Sequence, residues 1–204
     1  MSRIPKIPKE LILQASLDLL ISEGYPNITI KSIAKKLNCS TQPISWHFGS
    51  MPALRESLLE YALQYVKETY FIPTVNPFYS FYLTGRSHID MALKMPHLFR
   101  FLYMGESGMQ FNEEYPNSKY SASQIAQYLG ISVPKAAEFI QIMLFYTQGA
   151  SSMIATHTIT ETPDSIFESL DRVSVKLLVS YGIPLETAVG LIKTPANISS
   201  TTPT

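Results

Sequence analysis

At 204 residues the chain is long enough for one large domain or two small ones, and folding at that length buries about 70% of the unfolded surface, so core size sets no limit. Sixteen Lys and Arg balance sixteen Asp and Glu, which excludes an overall field toward nucleic acid or anionic membrane and leaves such a partner to a local patch. The single cysteine, Cys39, excludes an internal disulfide and a multi-thiolate zinc site, and the charged fraction of 16% points to extensive helix packing, an apolar cavity or a protein partner.

Residues 9–23, KELILQASLDLLISE, repeat Leu11, Ile12, Ala15, Leu19 and Leu20 at the helical period, and Gly24 with Pro26 stops them. Thr29 then caps a short second helix with Ile30, Ile33, Ala34 and Leu37 on one side. Asn38 suits a left-handed end, and Ser40 is expected as the next N-cap, so that NCS forms a three-residue turn of helix-turn-helix spacing. Pro43 falls in the first turn of the third helix, where its missing N–H is not needed.

A longer helix is expected over 52–71, then helical stretches over 78–94, 97–104, 122–129, 134–157, 164–181 and 184–192, with a polar loop over 105–120. Strand alternation is absent. The chain divides on this reading into residues 1–50, a small three-helix unit, residues 51–192, a larger helical bundle, and a flexible tail, 193–204. No apolar run reaches the eighteen or so residues of a membrane span, and MSRIPKIPKE adjoins no signal-peptide core, so a soluble, cytoplasmic protein with no membrane partner is expected.

The segment QPISWHF carries the chemistry. In a helix-turn-helix the second helix enters the major groove with polar side chains outward and apolar ones inward. Ile44 and Phe48, four apart, share the inward side. Thr41, Gln42 and Ser45 are left for base edges, with Trp46 and His47 on the flank. Residues 3–36 add six Lys or Arg against three Asp or Glu, a local excess of the kind that neutralises phosphates. The competing readings are that Trp46 is a core aromatic and that Thr41 and Gln42 are merely solvated. A metal or catalytic role for His47 lacks a carboxylate or second histidine at helical spacing.

From Leu11 to about Leu59 the chain resembles the TetR family of bacterial transcriptional regulators. The resemblance is carried by EGY, by Thr29, Ile33-Ala34 and Cys39-Ser40, by Ile44-Ser45-Trp46-His47-Phe48, and by ALRESLLEYAL. Three positions depart from the pattern: Asn38 replaces the turn glycine, Ser45 a tyrosine, and Met51 a lysine, the last two removing phosphate contacts. The resemblance implies a homodimer on a palindromic double-stranded DNA operator, with recognition helices about 34 Å apart or a multiple of it. It implies base contacts from Gln42 and Thr41 and backbone contacts from Thr29, Lys31, Ser40, Trp46 and His47. It also implies release by a small-molecule effector, which the composition suggests is largely apolar.

Candidate lining residues for that effector are Tyr65, Tyr82, Met91, Phe101, Met104, Phe145 and Tyr146, each equally suited to ordinary packing. Gly149, Ala150, Ser151 and Ser152 would let a partner helix approach closely. Residues 121–140 imitate a second helix-turn-helix but carry few basic residues and read better as a helix-loop-helix of the core. His88 with Asp90, and His97 with His157, diverge or lie far apart in sequence, so no metal or other cofactor is expected. No catalytic motif appears, and an enzyme is not expected. The alternative function is a helical small-molecule-binding or protein-interaction module that has lost DNA binding.

Overall fold

The computed structural model describes residues 7–70, 74–107 and 118–193. Their helices in chain order are α1 (Lys9–Glu23), α2 (Ile30–Lys36), α3 (Gln42–Phe48), α4 (Met51–Tyr70), α5 (Pro77–Lys94), α6 (Pro96–Tyr103), α7 (Ser118–Leu129), α8 (Val133–Ala155), α9 (Pro163–Ser180) and α10 (Leu185–Lys193), with a 3-10 turn at Tyr25–Asn27. There is no strand among the described residues, as the all-α expectation requires. The expected loop lies mostly, and the expected tail almost wholly, outside the described residues. α7 starts four residues earlier than the sequence reading places it, and Ala122, Ile125 and Ala126 are buried along it.

Two compact units result: Met1–Thr69 with Lys94–Gln110, and Tyr70–Leu93 with Phe111–Thr204. In the first, α1 packs on α2, α3, the 3-10 turn and α6. A helix with neighbours on so many sides needs a wide apolar arc. Ile12, Leu13, Leu17, Leu19 and Leu20 are buried accordingly, together with Ile28, Ile33, Ile44, Leu54 and Leu58. Each such side chain contributes about 1.5–3 kcal/mol of transfer free energy. The sequence reading placed Leu11 on this face. It is instead 48% exposed, because the buried arc turns toward Leu13 and Leu17, which the reading passed over.

Gly24 ends α1 at φ 84°, ψ 166°, and its N–H bonds the Leu20 carbonyl at 3.1 Å. A Cβ there would lie 2.8 Å from Nδ1 of His97 on α6. That ring is fixed in turn. Arg100 donates from a guanidinium nitrogen to His97 Nδ1 at 2.6 Å and from Nε to Glu106 at 3.2 Å. The Tyr25 ring meets Phe101 at 5.0 Å, tilted by 44°, and the Arg55 guanidinium lies 5.0 Å from the Tyr25 ring.

The second unit is built on α8. Phe139 meets Phe78 and Phe81 of α5 at 5.7 and 5.9 Å, and Gly85 leaves room for Thr147, whose methyl would stand 3.3 Å from an added Cβ. α7 folds back along α8, and α9 packs its buried Ile166, Leu170, Ser174 and Leu178 inward. α5 and α9 are joined by polar groups. Tyr82 donates to Asp171, and Arg86 bonds Asp171 at 3.1 Å and Tyr82 at 3.0 Å while lying 4.4 Å over the Phe167 ring. Burial, then the Asp171 contact, pushes the Tyr82 phenol up to about 12, so it stays a neutral donor at any ordinary pH.

Buried His88 donates from Nε2 to the Gln148 side-chain carbonyl at 2.9 Å. Burial lowers its pKa from the ordinary 6.5, and the Gln148 bond only partly opposes this. A base whose folded pKa is depressed is protonated first in the unfolded chain, so its contribution to stability is present above about pH 6.5 and is lost as the pH falls. Guanidinium denaturation of the parent is therefore expected to show a lower midpoint at pH 5 than at pH 7. His88→Gln keeps a neutral donor and should flatten that difference. Equal pH dependence in the two proteins would refute the assignment.

The helix-turn-helix look-alike over 121–140 is core. Ala126, Ala136, Phe139 and Ile140 are buried in the α7 to α8 packing, and Lys135 reaches the Tyr181 carbonyl at 3.5 Å.

Candidate nucleic-acid interface

The site begins with the capping of α2. The Thr29 side chain accepts from the Ser32 N–H at 3.0 Å, and the Ser32 hydroxyl accepts from the Thr29 N–H at 3.0 Å, so two orphan donors are satisfied reciprocally. At the other end Leu37 is the C-cap and Asn38 takes φ 50°. The Cys39 N–H bonds the Ala34 carbonyl at 3.0 Å and the Asn38 N–H bonds that of Lys35 at 3.2 Å, the paired bonds of a Schellman end. Asparagine therefore serves here where glycine would be cheapest.

The turn is longer than the sequence reading makes it. α3 starts at Gln42, its N-cap is Thr41 in the right-handed helical region, and no side chain caps it. Ser40 is thus not the cap. The residues after Asn38 are still completing the previous helix's bonds, which delays the new one, and Pro43 occupies its first turn without loss of a donor. α3 ends at Gly49, φ 70°, whose N–H bonds the Ser45 carbonyl at 2.8 Å, and Ser50 then caps α4 by accepting from the Ala53 N–H at 3.3 Å.

α3 divides as its period dictates. Ile44 and Phe48 are buried against the unit, while Thr41, Gln42, Ser45 and Trp46 face solvent. Trp46 is 69% exposed, so it is not a core aromatic. Its ring meets His47 edge-on at 4.8 Å. His47 is half-buried, and its Nε2 donates to the Ile7 carbonyl at 2.8 Å. Thr29, Lys31 and Ser40 are exposed at the ends of α2 and in the turn, and Lys35 is exposed on α2. Lys36 pairs with Asp18 at 3.6 Å on the surface, a contact worth at most about 1 kcal/mol. All eight candidate DNA-contacting residues belong to the first unit.

The candidate effector residues do not share one unit. Tyr65, Phe101 and Met104 belong to the first, where Phe101 is fully buried against Tyr25 and the Tyr65 hydroxyl points at the Met95 sulfur at 3.9 Å. Tyr82, Met91, Phe145 and Tyr146 belong to the second. Met91 is buried there, Tyr82 is engaged by Asp171, Tyr146 is half-buried, and Phe145 is 70% exposed on α8. A shallow cavity of about 180 Å³ in the second unit is lined by Ala92, Leu93, Ile154, His157, Ile159, Glu161 and Ile166, none of them among the candidate effector residues. It is smaller than the 300 Å³ or so at which drug-sized ligand sites begin.

Of the small-residue stretch on α8, Ser151 is buried in its own unit, whereas Gly149 faces open space with Phe145 and Met153 exposed one turn to either side. Among the described residues no group of three or more His, Cys, Asp or Glu side chains could hold a metal ion, and no helix is long and apolar enough to cross a membrane.

Residues 12–58 match the family of bacterial regulatory proteins, tetR family. A crystal structure of a TetR variant from Acinetobacter baumannii AYE in complex with minocycline is similar to the chain at 19% identity and TM-score 0.54, covering 86% of this chain and 97% of that one. The crystal structure of TetR from Acinetobacter baumannii AYE follows at 18% identity and TM-score 0.51, covering 91% and 96%. These likenesses extend the helical fold well past the matched segment. A search of curated protein sequences finds no match. The family resemblance drawn from EGY through ALRESLLEYAL is borne out.

Proposed function

We propose, from a chain whose N-terminal unit is of the tetR family of bacterial regulatory proteins, a cytoplasmic DNA-binding transcriptional repressor that leaves a palindromic operator when a small effector binds. The observation that carries the reading is the division of α3, with Ile44 and Phe48 buried and anchoring it while Gln42, Ser45 and Trp46 face solvent. Base-edge contact falls to Thr41 and Gln42. Phosphate contact is assigned to Thr29, Lys31, Ser40 and Trp46.

Dimerisation is assigned to the exposed line Phe145, Gly149 and Met153 on α8. Two large apolar groups flanking a glycine with open space above it let a second helix come close, and a two-fold axis sets the same patch against itself. The effector is assigned to the sparsely charged second unit. Its action requires different affinity for the DNA-fitting and DNA-released states. The chain passes between the two units at 69/70, 93/94 and 110/111.

The test is selection of bound fragments from the source genome, followed by binding of variants to the selected site. Gln42→Ala should relax operator choice, losing about 1–3 kcal/mol of discrimination per good base contact, whereas Lys31→Ala should weaken all sequences alike. If both variants bind selected and random duplex as the parent does, α3 is not the reading helix.

A further inference from the structure

We propose that the shallow cavity of the second unit binds a small primary amine with a compact apolar body, its ammonium held by Glu161 and His157. In naming the chemistry of the effector this rests on the reading above; as a binding site it does not. α5 and α8 run side by side in the same direction, since Phe78 meets Phe139 near their starts and His88 meets Gln148 further on. Their C-terminal ends therefore arrive together. The cavity lies at those ends, completed by the segment after α8 and the first turn of α9. Buried Ala92, Ile154 and Ile166, with half-buried Ile159, give it an apolar floor, and exposed His157 and Glu161 give it a polar edge.

That edge is unlike the rest of the unit. α8 ends in paired Schellman bonds, from the His157 N–H to the Ile154 carbonyl at 3.0 Å and from the Thr158 N–H to that of Met153 at 2.9 Å. His157 takes φ 56° there, whereas α7 and α9 end on Gly130 and Gly182 at φ 66° and 96°. Glycine costs least in that conformation, so the imidazole stands at the cavity against the preference of its backbone. The Glu161 carboxylate accepts only the Thr160 N–H, at 3.1 Å, among the described residues. α9 does not depend on it, because Thr162 caps that helix and Asp164 supplies an acidic first turn.

The charge of the occupant follows. No basic side chain lines the cavity. α5 has Lys94 in its last turn, but α8 has no basic residue to answer the partial negative charge of its C-terminus. Carboxylate and helix end both favour a cation and repel an anion. An ammonium has N–H groups to give, and Glu161 and the neutral imidazole of His157 accept them. Size sets the body. A cavity of about 150 Å³ lined by apolar side chains holds one benzene ring, so about 180 Å³ takes a single six-membered ring with its amine nitrogen.

The experiment titrates cyclohexylamine into the full-length, isoleucine-methyl-labelled protein near neutral pH. The methyl signals of Ile154, Ile159 and Ile166 should move together, while those of Ile125, Ile140 and Ile183, buried elsewhere in the unit, stay in place. Cyclohexanol should bind more weakly, and cyclohexanecarboxylate should not bind. Glu161→Gln, at an exposed position, should weaken cyclohexylamine about fivefold, the upper range for an exposed ion pair, and leave cyclohexanol unchanged. His157→Gly should raise the denaturation midpoint by relieving the left-handed residue, yet weaken the amine.

Absent or scattered methyl shifts, carboxylate bound as well as amine, or amine affinity unmoved by both substitutions would overturn the site. With the site filled, affinity for a selected duplex should fall. Unchanged DNA affinity alongside the expected methyl shifts would overturn the effector role alone, and a parent that binds no duplex would overturn the DNA-binding reading alone.

Discussion

Gly24→Ala should destabilise the first unit by about 2–4 kcal/mol, more than any exposed substitution on α3. Two independent costs add. At φ 84° and ψ 166° the residue occupies a region that is essentially closed to side chains, and holding one there costs about 1–3 kcal/mol. The new Cβ would also stand 2.8 Å from His97 Nδ1, and that ring cannot swing away freely because it accepts from Arg100, which is itself bonded to Glu106. Denaturant titration followed by circular dichroism reads the loss. Combining Gly24→Ala with His97→Ala should recover the steric part and leave the backbone part. A substitution that proved neutral would mean that α1 and α6 do not meet as described.

The functional consequence follows from where the strain falls. Gly24 joins the end of α1 to the face of α6, and α1 in turn carries both α2 and α3. Loosening that joint should weaken operator binding in Gly24→Ala beyond the fraction of protein unfolded. Residual DNA affinity in proportion to folded protein alone would place the control elsewhere.

Much of this arrangement is legible in the sequence because its determinants are local. The bounds of α1, the Thr29 cap, the left-handed Asn38 and the inward pair Ile44 and Phe48 all follow from period and capping within a few residues. Ser40 misleads because two residues compete for the role of N-cap, and the Schellman bonds from Asn38 and Cys39 decide in favour of the later one. Leu11 misleads because α1 is apolar on more than one side, and only its neighbours fix which residues are covered.

What is long-range is not legible. The His47 bond to Ile7, the fit of Gly24 to His97 and the Arg86 to Asp171 contact each join residues between 40 and 85 positions apart, and nothing in local spacing announces them. Trp46 is intermediate. Three rings in succession cannot all face inward, but which one turns out depends on the packing of Phe48 and the tether of His47. Which residues would line the proposed effector site is least legible of all, since α8 carries large apolar residues around most of its circumference and aromatic content cannot separate core from lining. Met91 and Phe145 come from one list and lie at opposite extremes of burial.

The chain's net charge is zero, so its affinity for DNA has to come from phosphate contacts gathered on one unit rather than from an overall field. The most direct measurement is therefore binding of the parent protein to duplex DNA as a function of salt. A dimer neutralising six to ten phosphates should lose about three to five decades of affinity between 50 and 200 mM salt. Absence of binding to selected or random duplex even at low salt would contradict the account, and would favour instead the helical binding module that the loss of phosphate contacts at Ser45 and Met51 suggests.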